Sequence, residues 1–161
     1  MSDANARRVL ALVRVSVGVI FLFFAEYKIV GSEFVHGRFQ KYIGTYVDQH
    51  QVVGWLRPIL TRYVLPHPFL WARVVAWGEL LIGISLVLGW WVRLSSVFGI
   101  LYMFALACST WFAPGHNAPY WRYLGNNLDH IPLLMLFLIF FVFRAGSTWG
   151  LDRGGIKPPR K

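Results

Sequence analysis

Residues 69–91 read FLWARVVAWGELLIGISLVLGWW. A helix rises about 1.5 Å per residue and a bilayer's hydrocarbon core is about 30 Å thick, so a run of this length is long enough to span. Its apolar residues are continuous rather than alternating. That excludes a barrel strand and leaves a helix as the spanning element. Glu79 interrupts the run near its middle, where ionisation in hydrocarbon costs most. An acid at that depth requires a partner or a chemical task.

Three further segments flank this one. The first runs from about Val9 to Val30, interrupted by Arg14, Glu26 and Lys28. Another follows from Leu94 to about Phe112, and the last from about Leu128 to Phe143. The last is short, but Trp121, Tyr123 and Trp149 flank it as an interfacial aromatic belt would. The expected fold is therefore all-α, an integral membrane four-helix bundle forming a single transmembrane domain over residues 1–161. Composition agrees: 57% of the 161 residues are hydrophobic, and the mean hydropathy is +0.51.

The formal charge of +9 rests on 16 Lys and Arg against 7 acids. These are spread along the chain as membrane flanks and form no basic stripe, which excludes a nucleic-acid partner and leaves the lipid bilayer. Arg7 and Arg8 before an apolar run resemble a signal peptide. The run is long for one, carries Arg14 and lacks a small-x-small cleavage site before Glu26, so a retained signal anchor is expected. With four spans, Arg7, Arg8, Arg93, Arg144, Arg153, Lys157, Arg160 and Lys161 lie on the side of the termini. Arg38, Lys41, Arg57, Arg62, Arg73 and Arg122 lie on the other, diluted over longer connections. The bias places both termini in the cytoplasm, with the membrane expected to be a bacterial inner membrane.

The connection from Gly31 to Pro68 is too long for a simple turn. Phe34, Phe39, Tyr42, Ile43, Tyr46 and Val47 recur at helical spacing, as do Val52, Val53, Trp55, Leu56, Ile59 and Leu60. Both sets predict amphipathic interfacial helices between the first and second spans. Pro58, Pro66 and Pro68 break any longer helix. The connection from Ala113 to Gly125, rich in Pro, Gly, Asn and aromatics, reads as an ordered loop.

Few residues carry chemistry. Counting helical rises along antiparallel first and second spans puts Arg14 and Glu79 within roughly 7 Å in depth, so an Arg14–Glu79 ion pair is expected as the central polar pair. Such a pair either fixes helix register or faces a ligand; without its partner, desolvation would make Glu79 a proton acceptor near neutrality. Glu26 and Lys28, near the outer end of the first span, either snorkel to the interface or line a site. Asn126, Asn127, Asp129 and His130 form a polar mouth at the fourth span, explained by helix capping or by ligand contact. The five His lie in loops or at an interface, which argues against a haem held between facing imidazoles, and no metal site is expected. A lone Cys108 excludes a dithiol mechanism within the chain.

Arg14 with Gly18, Lys28, the stretch Trp77-Gly78-Glu79-Leu80-Leu81-Ile82-Gly83 running to Leu88-Gly89 and Arg93, Asn127, and the closing Gly150-Leu151-Asp152 resemble the DoxX/DoxD family, over about residues 7–153. The chain departs from that pattern at Ala25-Glu26-Tyr27-Lys28, where a glycine is more usual, and in its long connection from Gly31 to Pro68. The resemblance implies a four-helix membrane fold and association with redox chemistry, since the family includes the membrane subunit of thiosulfate:quinone oxidoreductase. It points to Arg14, Lys28, Glu79, Arg93 and Asn127 as positions of a family-wide site. The functional expectation is a membrane subunit of, or accessory to, a quinone-linked oxidoreductase, including one that oxidises sulfur compounds. Glu79 and Arg14 are then the catalytic candidates, with Lys28, Arg93, Asn127 and His130 as substrate-binding candidates. No intrinsic cofactor is expected; quinone is the cofactor that the resemblance implies, and other membrane subunits are the expected partners. The alternative is a non-catalytic subunit packed onto a larger respiratory or photosynthetic membrane complex through its many aromatics. A solute carrier is disfavoured by the single central acid and the lack of an inverted repeat.

Overall fold

The computed structural model describes residues 3–112 and 119–152. His116 and most of the second connection's first half, with the tail bases Arg153, Lys157, Arg160 and Lys161, lie outside the described residues. The described chain is helical, and three of its helices are long and apolar enough to cross a membrane: α1 (Asp3–Val30), α4 (Pro68–Leu88) and α5 (Val92–Ser109). Pro68 opens α4 at a position where a missing N–H costs nothing, and Gly89 ends it in the left-handed conformation at φ 65°. The last long apolar element, α7 (His130–Val142), has 13 residues and is shorter than the expected run 128–143.

α1 packs most extensively on α4, and α5 on α7. The α1–α4 approach is close because each helix offers a glycine. A Cβ on Gly18 would sit 2.9 Å from the Leu86 Cβ and from Val87, and one on Gly83 would sit 2.8 Å from Leu22 Cδ2. Small residues of this kind let helix backbones meet where side chains would hold them apart. On the other side, Gly99 of α5 accommodates the Phe137 ring of α7. Phe137 in turn meets Phe21 and Phe140 edge-on at 5.4 and 6.2 Å, joining the two helix pairs in one core with Leu86, Val92 and Met103.

The connection between α1 and α4 is ordered. A helical turn (Phe34–Arg38) leads into α2 (Phe39–Asp48), and α3 (Arg57–Ile59) widens into a turn of five residues (Leu60–Val64) before α4. Its second helical stretch starts later than the apolar spacing suggests, since residues before Arg57 form turns and Pro58 sits in the first helical turn. The apolar face is turned inward: Phe39, Ile43, Val47, Leu56, Leu60 and Val64 bury against Phe34, Ala72 and Cys108. Backbone bonds from Val53 N–H to the Cys108 carbonyl (3.0 Å) and from Phe112 N–H to the Gln51 carbonyl (2.9 Å) tie it to the end of α5. The last two small elements are α6 (Tyr120–Asn126) and a 3₁₀ turn (Ala145–Ser147) that follows α7.

Candidate functional site

Among the described residues, the buried charged side chains form two centres, one toward each end of the α1–α4 pair. Their separation follows from the glycine-set register. With Gly18 against Leu86, moving seven residues along each antiparallel helix (18 + 7 = 25, 86 − 7 = 79) brings Ala25 level with Glu79. Arg14 lies eleven residues below that level (25 − 14), about 16 Å along the axis. The expected Arg14–Glu79 pair therefore does not form. The depth count behind it treated the two spans as ending together, whereas α4 begins well beyond the end of α1.

Glu79 pairs instead with Lys28. The Lys28 ammonium contacts both carboxylate oxygens, and the Tyr102 hydroxyl of α5 donates to Oε1 at 2.5 Å. Glu79 and Lys28 side chains are only 6% and 13% exposed. Lys28 thus turns inward rather than snorkelling, and its ammonium also lies 5.7 Å from the Phe24 ring centroid and 5.2 Å from that of Phe34. Three helices each contribute one group, and together they neutralise and hydrogen-bond a buried acid, as a low-dielectric interior demands. Tyr102 escaped the sequence reading because a tyrosine in an apolar run reads as core. Its signal was a hydroxyl at a depth where it must find a partner.

Arg14 is fully buried and does something different. Its Nη1 donates to the carbonyls of Ala145 (2.8 Å) and Thr148 (3.2 Å), and its Nη2 to that of Trp149 (3.0 Å). The segment it grips continues to Asp152, whose carboxylate accepts the N–H groups of Trp91 (2.9 Å) and Val92 (2.9 Å) and so caps α5 from a distance. Leu151 and Asp152 N–H groups bond the carbonyls of Leu88 and Gly89. Gly89 and Gly150 meet backbone to backbone beside the guanidinium, where a Cβ on Gly89 would sit 2.6 Å from Arg14 Nη1. This clamps the segment after α7 onto α1 and the α4–α5 corner.

The remaining candidates are scattered. Arg93 is exposed at the start of α5 and lies over the Phe141 ring at 4.7 Å. Asn127 is buried and donates to the Tyr123 carbonyl (3.1 Å) and the Thr110 carbonyl (3.5 Å), pinning the approach to α7 onto the end of α5. Asp129 caps α7 by accepting from the His130 N–H (3.1 Å), and the His130 ring lies 3.5 Å from the same carboxylate. Tyr46 of α2 is near enough to Tyr42 and Asp129 to feel their charge. Burial first, then those neighbours, push its phenol above the ordinary value, so it stays protonated. Glu26 is exposed on the outer side of α1.

A family model described as DoxX matches residues 9–113, more than half of the chain, and takes in Arg14, Lys28, Glu79, Arg93 and Tyr102. No curated protein and no solved structure matches.

Proposed function

We propose, from the premise that this chain belongs to the DoxX family, that it is an integral membrane subunit acting at or beside a quinone-linked redox step, with sulfur compounds as the electron-donor class. The observation that carries this is the Glu79–Lys28–Tyr102 cluster. A largely buried carboxylate that is hydrogen-bonded to both an ammonium and a phenol holds exchangeable protons, and reduction of a quinone takes up protons that such groups can relay. Lys28 and Tyr102 are donors of the type a quinone oxygen accepts from. Both are engaged with Glu79, so the cluster handles the proton beside the quinone rather than seating it.

In this reading α7, lengthened by its flanking turns, completes a four-helix bundle, and α2 and α3 lie at the outer interface of a bacterial inner membrane with both termini cytoplasmic. The cluster then sits in the outer half of the bilayer beneath α2. Other membrane subunits deliver the electrons.

The test is thiosulfate-dependent quinone reduction by membranes carrying the native complex. Glu79→Gln should lower turnover by at least about 100-fold while the chain stays in the membrane at the native level. Unchanged turnover would reject the reading in favour of a non-catalytic subunit packed onto a larger respiratory or photosynthetic complex.

A further inference from the structure

Arg73 is exposed on α4 at the level where the α1–α4 pair leaves the hydrocarbon. Ala25 lies level with Glu79, so five residues further along each helix bring Val30, where α1 ends, level with Val74 (25 + 5, 79 − 5). Trp71 and Trp90, both exposed, stand nineteen residues apart (90 − 71), about 28 Å of helix. That is close to the thickness of a hydrocarbon core, and tryptophans at that spacing suit its two interfaces. Arg73 is therefore within reach of lipid phosphates, while Leu70, Val74 and Trp77 around it on α4 are exposed to acyl chains.

The guanidinium is oriented but not neutralised. Its Cζ lies 4.1 Å from the Phe69 ring centroid. Stacking of this kind fixes the plane of the group and leaves its N–H edge to donate. Among the described residues no carboxylate pairs with Arg73, whereas Arg38, in the turn after α1, is taken up by Glu33 and the Tyr27 hydroxyl. Phe69 also carries a second polar ring, His36, edge-on at 5.6 Å. His36 Nδ1 lies 2.7 Å from the Ser32 carbonyl, which only accepts, so Nδ1 bears the proton and the neutral ring keeps Nε2 as an acceptor. A planar cation and a neutral acceptor on one aromatic ring match a phosphodiester with a single negative charge and a hydroxyl on its headgroup. A zwitterionic headgroup matches less well, because its ammonium would meet the charge of Arg73 with the neighbouring Glu33 already held by Arg38.

We propose that Phe69, Arg73 and His36 form a binding site for an anionic glycerophospholipid such as phosphatidylglycerol. The phosphate accepts from the Arg73 guanidinium, a headgroup hydroxyl donates to His36 Nε2, and the acyl chains lie along Leu70 and Val74. This site does not depend on the redox reading above.

The test titrates the whole detergent-solubilised protein with short-chain phosphatidylglycerol and with phosphatidylcholine of the same chains, and reads bound lipid by mass spectrometry of the intact complex. The native protein should bind phosphatidylglycerol about tenfold more tightly, the scale of a hydrogen bond to a charged group. Arg73→Gln should abolish that preference, and His36→Leu should reduce it about threefold, the scale of a neutral hydrogen bond. Arg57→Gln, which removes the same charge from an exposed arginine on α3, should leave it intact. Equal losses in Arg57→Gln and Arg73→Gln would reduce the preference to net charge and overturn the site, as would a preference that survives Arg73→Gln. Displacement of phosphatidylglycerol by inorganic phosphate at the lipid's own concentration would assign the site to the free anion and overturn the lipid.

Discussion

Arg14 and Lys28 are two buried cations on one helix, fourteen residues apart (28 − 14), and the protein treats them in opposite ways. Arg14 meets backbone: three carbonyls of the segment after α7, with the Asp152 carboxylate nearby on α5's first turn. Lys28 meets side chains: the Glu79 carboxylate, itself held by the Tyr102 hydroxyl. Carbonyl oxygens neither titrate nor leave, so the Arg14 end is a mechanical closure. Carboxylate, ammonium and phenol exchange protons, so the Lys28 end is suited to chemistry. Burial of a charge in a membrane helix therefore does not by itself mark a reaction site. The identity of its partner decides whether protons can be exchanged there.

Arg14→Met is the harshest test of this contrast. It leaves the gripped carbonyls short of donors and should cost about 4 kcal/mol, more than a neutral hydrogen bond because the donor is charged. Denaturant unfolding of the detergent-solubilised protein would read it, and native stability would end the idea of a clamp. Lys28→Met should cost about 3 kcal/mol by leaving Glu79 buried and alone. Here the sharper measurement is Lys28→Met combined with Glu79→Gln: the double variant should recover at least about 1 kcal/mol over the sum of the singles, as contacting residues do. Strict additivity would mean that the two do not share one site. The smallest effect is Asp152→Ala, expected at about 1 kcal/mol as for loss of a helix cap. It should loosen amide protection at Trp91 and Val92 in hydrogen exchange and leave the Lys28 end untouched; spread of the loosening to residues near Glu79 would show that the two ends are coupled.

Much of this was legible in the order of residues. The long apolar runs around Glu79 and from Val9 and Leu94 mark helices because nothing else satisfies a backbone away from water. Arg14, Lys28 and Glu79 stood out because charges in such runs are rare and costly. Their pairing was not legible, since it depends on helix register. Gly18 and Gly83 set that register through a close approach that a glycine-rich pattern suggests but does not position. The sign of Lys28's role was lost for the same reason: near the end of a span a lysine is equally able to reach outward or inward, and the neighbouring helix decides.

Local sequence settled that this protein is helical, apolar and a membrane protein, because those properties follow from hydropathy and hydrogen bonding within single segments. Only the packed structure decided which charges meet. Tyr102 comes to Glu79 from another helix, and the carbonyls that hold Arg14 come from residues more than 130 positions away in the chain. Contacts at that distance depend on how whole helices fit against one another.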